Sequence, residues 1–327
     1  MNKNILNHEK SGLSLDKRKA GLLSLWMFCL IMPVCGLIAG SFFDWSIDEA
    51  LFNPNIQWAI LFGYIGPLPV YINLMTSVWL LIDGFYGKSH KNTQTTRMVL
   101  RKNIWRILGM SAVILTIDLT QFELNHSHFA PMVWITFFLS LLGAMICHKA
   151  FRSFSPVEKI QAAFFLILTS CIGMILVSMI KHIWQRPRFI ALEQLNPSAG
   201  KADYSAFKNW WQISRTPLPP ALEALKIKDP DLFYSFVSGH TCSASMSFAM
   251  LVVILHNSKA WKHRCQLTAL CLFWTMATGL SRMILGKHFL SDISGGMIVG
   301  LVSMMILLHL LYSESFNSWL RRQKIFQ

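Results

Sequence analysis

The sequence predicts an all-α fold, a polytopic transmembrane helix bundle of about eight spans. Three observations carry that expectation. Of the 327 residues, 53% are hydrophobic and only 14% charged, with a mean hydropathy of +0.42, a balance found in membrane proteins rather than in soluble domains. A span needs roughly 20 mostly apolar residues, and residues 160–180 and 293–312 each reach that length without a Lys, Arg, Asp or Glu. Finally, the basic residues cluster in loops that alternating spans would bring to one side of a membrane.

The expected spans lie at 20–43, 56–83, 104–120, 130–148, 160–184, 240–257, 265–284 and 289–312. The first follows a polar, basic segment, 1–19, which is too long to resemble a cleaved signal peptide and reads as a retained cytoplasmic start. The second contains Gly66-Pro67-Leu68-Pro69, which should kink it or break it in two, because Pro removes a backbone donor and clashes with the preceding turn. The third is a short apolar run ending at Asp118. The fourth and fifth are long apolar runs, and the sixth to eighth follow a polar segment at 185–239. Gly296 and Gly300 of the eighth form a GxxxG pattern, read as a close helix–helix packing site rather than a sign of dimerisation. Residues 313–327 form a short tail. The seven cysteines, at 29, 35, 147, 171, 242, 265 and 271, form no CxxC and point to neither a disulfide framework nor a zinc site.

Cytoplasmic loops retain Lys and Arg. Segments 1–19, 85–106, 149–159, 258–264 and 321–324 hold 5, 6, 3, 3 and 3 of them, 20 of the chain's 30, and eight alternating spans put all five segments on one side. The opposite loops 44–55 and 121–129 hold none. Both termini are therefore expected in the cytoplasm. The net charge of +14 reflects topology, and a nucleic-acid partner loses its support.

The outward segment 185–239 is different. It carries 7 Lys or Arg, 5 Asp or Glu, and the aromatics Tyr204, Phe207, Trp210 and Trp211, and loops of that length are usually functional. Two polar clusters bracket it and a third sits between the last two spans. The first places Lys181, Arg186 and Arg188 where the fifth span leaves the membrane. The second puts Ser238, Gly239 and His240 where the sixth begins. The third is Ser281 to Asp292, with Arg282, Lys287, His288 and Asp292. By the predicted topology all three surface at one face.

Lys181, Arg188 and Arg282 offer cationic donors for a phosphate. Ser238 and Gly239 precede a helix, whose free N–H groups and dipole favour an anion. His288 and Asp292 are four apart, so on a helix they would share a face, the carboxylate taking one ring N–H while the other nitrogen stays nucleophilic. His240 then remains to give a proton to a leaving alkoxide. Taken singly, a basic residue at a span end commonly snorkels to headgroups and Ser-Gly before a helix is commonly a cap. Neither reading accounts for three clusters of complementary chemistry on one face.

Together these residues resemble the type 2 phosphatidic acid phosphatase (PAP2) family, with its three-part pattern K-x6-R-P, P-S-G-H and S-R-x5-H-x3-D. Lys181 precedes Arg188 by the required interval, Val237-Ser238-Gly239-His240 matches the second part, and Ser281-Arg282, His288 and Asp292 match the third in full. Phe189 stands in place of the first Pro and Val237 in place of the second. An alternative register using Arg186-Pro187 would put Met179 in the Lys position, so Arg188 is preferred. The resemblance implies that Lys181, Arg188 and Arg282 hold a phosphate capped by Ser238 and Gly239. It implies His288 as nucleophile through a phosphohistidine, Asp292 as its orienting partner and His240 as general acid, with no metal or other cofactor. It also implies a six-helix catalytic core, placed here at 101–312 with the outer loop, which leaves two additional spans and a cytoplasmic loop at 20–100 to which no role is assigned.

The expected function is a membrane lipid phosphatase hydrolysing a phosphomonoester or pyrophosphate at the outer face. A phosphotransferase passing the same phosphoryl group to an acceptor lipid is the alternative. A transporter is disfavoured, because ionisable residues gather at one edge of the spans rather than at mid-depth. The family implies a phosphorylated lipid partner of the isoprenyl pyrophosphate, glycerophospholipid or lipid A type. By analogy with its bacterial members, it implies an inner-membrane protein with the site facing the periplasm.

Overall fold

The computed structural model describes residues 14–86, 103–104, 109, 130–194, 206–213 and 218–322. Among these residues every regular element is helical. The helices are α1 (Leu15–Leu51), α2 (Gln57–Ile65), α3 (Leu68–Tyr86), α4 (Ala130–Ala150), α5 (Pro156–Trp184), α6 (Phe189–Glu193), α7 (Pro220–Lys228), α8 (Gly239–Ser245), α9 (Ser258–Lys262), α10 (Arg264–Ile284), α11 (Leu290–Leu311) and α12 (Glu314–Arg322). Six segments are long and apolar enough to cross a membrane: Leu15–Leu51, Gln57–Phe85, Pro131–Ala150, Pro156–Glu193, Arg264–Ile284 and Leu290–Leu311. The expected third span, 104–120, lies almost wholly outside the described residues. The expected sixth, 240–257, is a shorter apolar helix.

That shorter helix changes winding. After α8 the chain continues as a 3₁₀ helix over Met246–Leu255, which rises about 2.0 Å per residue against about 1.5 Å in an α-helix. Gly239–Leu255 thereby reaches roughly 30 Å instead of roughly 25 Å, close to the thickness of a hydrocarbon core. Asn73 of α3 donates to the Met246 carbonyl, 3.1 Å away, where the winding changes.

The break expected at Gly66-Pro67 is present, as the turn between α2 and α3. The start of α5 shows why a helix begins where it does. Ser155 caps the Glu158 N–H, Glu158 caps the Ser155 N–H, and Pro156 occupies the first turn, where its missing donor costs nothing.

At 1.5 Å per residue, α1 extends about 55 Å, well beyond one hydrocarbon core. It packs along α11, and its ends do different work. At one end Arg18 donates to the carbonyls of Ile254 and Leu255, and Lys19 to that of Tyr312, so the two cations cap helices whose last carbonyls lack intrahelical partners. The other end reaches the polar clusters. Gly40 allows the close approach there, since a Cβ on it would lie 2.6 Å from Asp44 Oδ1 and 2.7 Å from the Ser291 nitrogen. Gly296 and Gly300 of α11 are packing positions too, facing Ser238, Cys242 and Ser245 around α8. Large apolar side chains such as Phe28, Phe42, Phe138, Ile146, Leu270 and Phe273 point outward, as lipid-facing surfaces require.

Candidate active site

Three chain segments build the site. The first is the C-terminal end of α5, where Gln185 adopts a left-handed conformation (φ 45°) as C-cap and turns Arg186–Arg188 back across the helix ends. The second is the start of α8, and the third is the α10–α11 connection. Gly286 has φ +63° there, a conformation that a Cβ disfavours, and its carbonyl accepts from the Ile190 N–H at 3.0 Å. This contact ties the third segment to the first.

The expected site residues converge. Arg188, Arg282, His288, Asp292 and Ser238 are buried, while Lys181 and His240 are half-buried. Lys181 Nζ lies 3.8 Å from where a Gly239 Cβ would be, and Arg282 Nη1 lies 3.0 Å from the corresponding point on Gly63. Among the described residues no acid pairs with Lys181 or Arg282, and Arg282 Nε makes no hydrogen bond. Arg188 is engaged by Asp231, whose two carboxylate oxygens accept from Nη1 and Nη2 at 2.5 and 2.8 Å. Burial works to raise the Asp231 carboxyl, but Arg188 and Lys181 bring it below the usual range. Burial, then Arg188 and Arg282, push Lys287 down to about 8.

His288 sits in the connection before α11, not on the helix, so the shared face expected for His288 and Asp292 is not what relates them. Its Nδ1 donates to the Ser235 carbonyl at 2.7 Å, whereas the nearer Asp292 oxygen is 3.9 Å from that nitrogen, beyond hydrogen-bond reach. Asp292 instead accepts from Ser235 Oγ at 2.5 Å, from the Phe289 N–H at 2.8 Å and from Arg186 Nη1 at 2.6 Å. With Nδ1–H committed to a carbonyl, Nε2 is the unprotonated nitrogen of the neutral ring. Burial first, and then Arg188, Lys181 and Arg282, hold His288 well below the ordinary histidine value, so at neutral pH it carries no charge.

The anion cap is shifted from the expected pair. The Ser238 N–H donates to the Asp292 carbonyl at 2.9 Å, and Ser238 Oγ accepts from the Thr241 N–H and hydroxyl. Ser238 therefore fixes α8 to α11, and the free first-turn N–H groups begin at Gly239.

Several contributors carry no motif. Gly63 of α2 accepts from His240 Nε2 at 3.1 Å, which leaves Nδ1 as the ring nitrogen able to exchange a proton. Asp44 of α1 binds Arg186, as does Asp292. Neither Arg186 nor any residue of α1 belongs to the three-part motif, and the only signal along α1 in the sequence is a pair of acids, Asp44 and Asp48, at the end of an apolar run.

Residues 162–315 match the family model described as PAP2 superfamily. This chain carries a PAP2 superfamily domain. No curated protein and no solved structure matches the chain. The PAP2 domain contains Lys181, Arg188, Ser238, His240, Arg282, His288 and Asp292, while α1 to α4 precede it. With its long apolar helices, the protein is an integral membrane phosphatase.

Proposed function

We propose that this PAP2 protein hydrolyses the phosphomonoester or pyrophosphate group of a lipid, at the periplasmic face of a bacterial inner membrane, through a phosphohistidine. The observation that carries the reading is a neutral His288 surrounded by Lys181, Arg188 and Arg282, two of which have no acid partner among the described residues. Cations held unpaired in a buried place are costly, and an incoming phosphate supplies the missing anion. They also lie where negative charge accumulates on a transferring phosphoryl group.

In the first step His288 Nε2 attacks phosphorus, the P–N bond forms, and the P–O bond to the lipid breaks. His240, which takes up a proton from solvent as the phosphate anion binds and is then protonated on both ring nitrogens, gives its Nδ1 proton to the departing oxygen while Nε2–H stays on the Gly63 carbonyl. In the second step water attacks phosphorus, its proton passes to His240, the P–N bond breaks, and inorganic phosphate leaves with His288 neutral again. Metal is not needed for this sequence, because the cationic side chains neutralise the phosphoryl oxygens.

The outward orientation is supported by the distribution of Lys and Arg over the loops. The lipid class is tested by offering purified protein undecaprenyl pyrophosphate, phosphatidylglycerol phosphate, phosphatidic acid and lipid A in detergent and measuring released phosphate. The reading expects turnover of at least one, and no release from any of the four would contradict it.

A further inference from the structure

Asp44 lies on α1, 118 residues before the first residue matched by the family model, yet it is 1% exposed and bonded into the site. Its Oδ1 accepts from the Ser291 N–H at 2.9 Å, and its Oδ2 accepts from Ser291 Oγ and from Arg186 Nη2, the latter at 2.9 Å. Four of the five N–H donors of Arg186 are committed. Nη1 donates to Asp292 at 2.6 Å and to Ser291 Oγ at 2.8 Å, Nε donates to the Lys208 carbonyl at 2.7 Å, and the guanidinium lies 4.2 Å from the Phe289 ring centre. These four bonds tie the arginine to α1, to the Lys208 carbonyl and to the start of α11.

A guanidinium is a rigid planar fork. With one edge on Asp44 and the other on Asp292, it fixes the two carboxylates relative to each other. Asp292 in turn holds Ser235 by its hydroxyl, and the Ser235 carbonyl holds His288 Nδ1. The path from α1 to the nucleophile is therefore a continuous set of hydrogen bonds: Asp44, Arg186, Asp292, Ser235, His288. Because Asp292 does not touch His288 directly, the orientation of the ring depends on how firmly Asp292 itself is held.

We propose that Asp44 is a positioning residue for phosphoryl transfer, acting through Arg186 and Asp292 on the orientation of His288, so that α1 completes a site the PAP2 domain does not finish alone. This rests on the phosphatase reading above. A side chain that aims the nucleophile acts on the chemical step, whereas a strut that merely joins α1 to α11 would lower the amount of folded protein without regard to Asp292.

The test is a double-mutant cycle with Asp44→Asn, Asp292→Asn and the combined variant, on whichever lipid of the four releases phosphate fastest. Asp44→Asn should lower kcat about tenfold or more with KM within about threefold. In the Asp292→Asn background the same change should cost less than about twofold, because the relay is already cut. Equal factors in both backgrounds, or a raised KM with unchanged kcat, would overturn the role of Asp44 while leaving the phosphatase reading intact. A wild-type protein inert on all four lipids would overturn that reading and the role with it. If Asp44→Asn does not yield folded protein, Ser291→Ala, which removes only the hydroxyl shared by Asp44 and Arg186, takes its place in the cycle with the same two outcomes.

Discussion

His288, the proposed nucleophile, illustrates how much of a residue's setting lies outside its motif. The spacing from Ser281 to Asp292 identified the histidine, but its hydrogen-bond partner is the backbone carbonyl of Ser235, which no side-chain pattern can announce. The same holds for Arg186, whose neighbours Asp44 and Asp292 are 142 and 106 residues away in sequence. Because burial and three cations keep His288 deprotonated below the ordinary histidine range, the nucleophile stays available as pH falls through 6.5 and is lost only at lower pH. Once corrected for the second ionisation of the phosphate itself, near 6, kcat/KM should show no acid-side loss centred at 6.5, and a loss on lowering the pH that is centred there or higher would contradict the geometry. The roles of the two histidines separate by leaving group. His288→Ala should fail on both a lipid phosphate and p-nitrophenyl phosphate. His240→Ala should be crippled on the lipid but partly spared on the aryl ester, whose leaving group needs little protonation, and Asp292→Asn should fall between. Equal losses on both substrates for His240→Ala would remove the acid assignment.

Among the elements, α1 makes the strongest case for structure over sequence. Its apolar run predicted a span, and nothing in that run indicated that Gly40 would bring it against Ser291 of α11. A side chain at Gly40 would meet backbone and the Asp44 carboxylate at under 3 Å, so Gly40→Val should cost about 1–3 kcal/mol or more and lower activity together with thermal stability in detergent. At the opposite end Arg18 caps carbonyls far from the chemistry. Arg18→Met should lower stability by about 1 kcal/mol while kcat stays within about twofold, and a large loss of kcat there would mean that the two ends of α1 are coupled. The break at Gly66-Pro67 was legible because proline acts locally. The 3₁₀ winding of Met246–Leu255 was not, since an apolar run has no pattern that distinguishes the two helical forms and tertiary contacts such as that of Asn73 enter the choice.

For the molecule as a whole, composition and basic-residue distribution were enough to predict a membrane-spanning helical bundle, because a bilayer penalises unpaired backbone and charge so heavily that few architectures survive. The order of the elements in space was not legible, and neither was the use of α1 and α2 as walls of the site. Orientation is testable independently of catalysis. Lys228, exposed on α7, can be replaced by cysteine in a variant lacking the native seven. An impermeant thiol reagent should label it in intact cells, with labelling only after lysis contradicting an outward-facing site. Activity should survive EDTA and be inhibited by vanadate, which can take up five-coordinate geometry; loss with EDTA that Mg²⁺ restores would count against the metal-free mechanism. Passage of the phosphoryl group through His288 can be seen by quenching the enzyme under alkaline conditions during turnover of a ³²P-labelled lipid phosphate and locating the label by peptide mapping. An acid-labile phosphoryl group is expected on His288 and should be absent from His288→Ala. Label on any other residue, or steady phosphate release by His288→Ala, would contradict a route through His288.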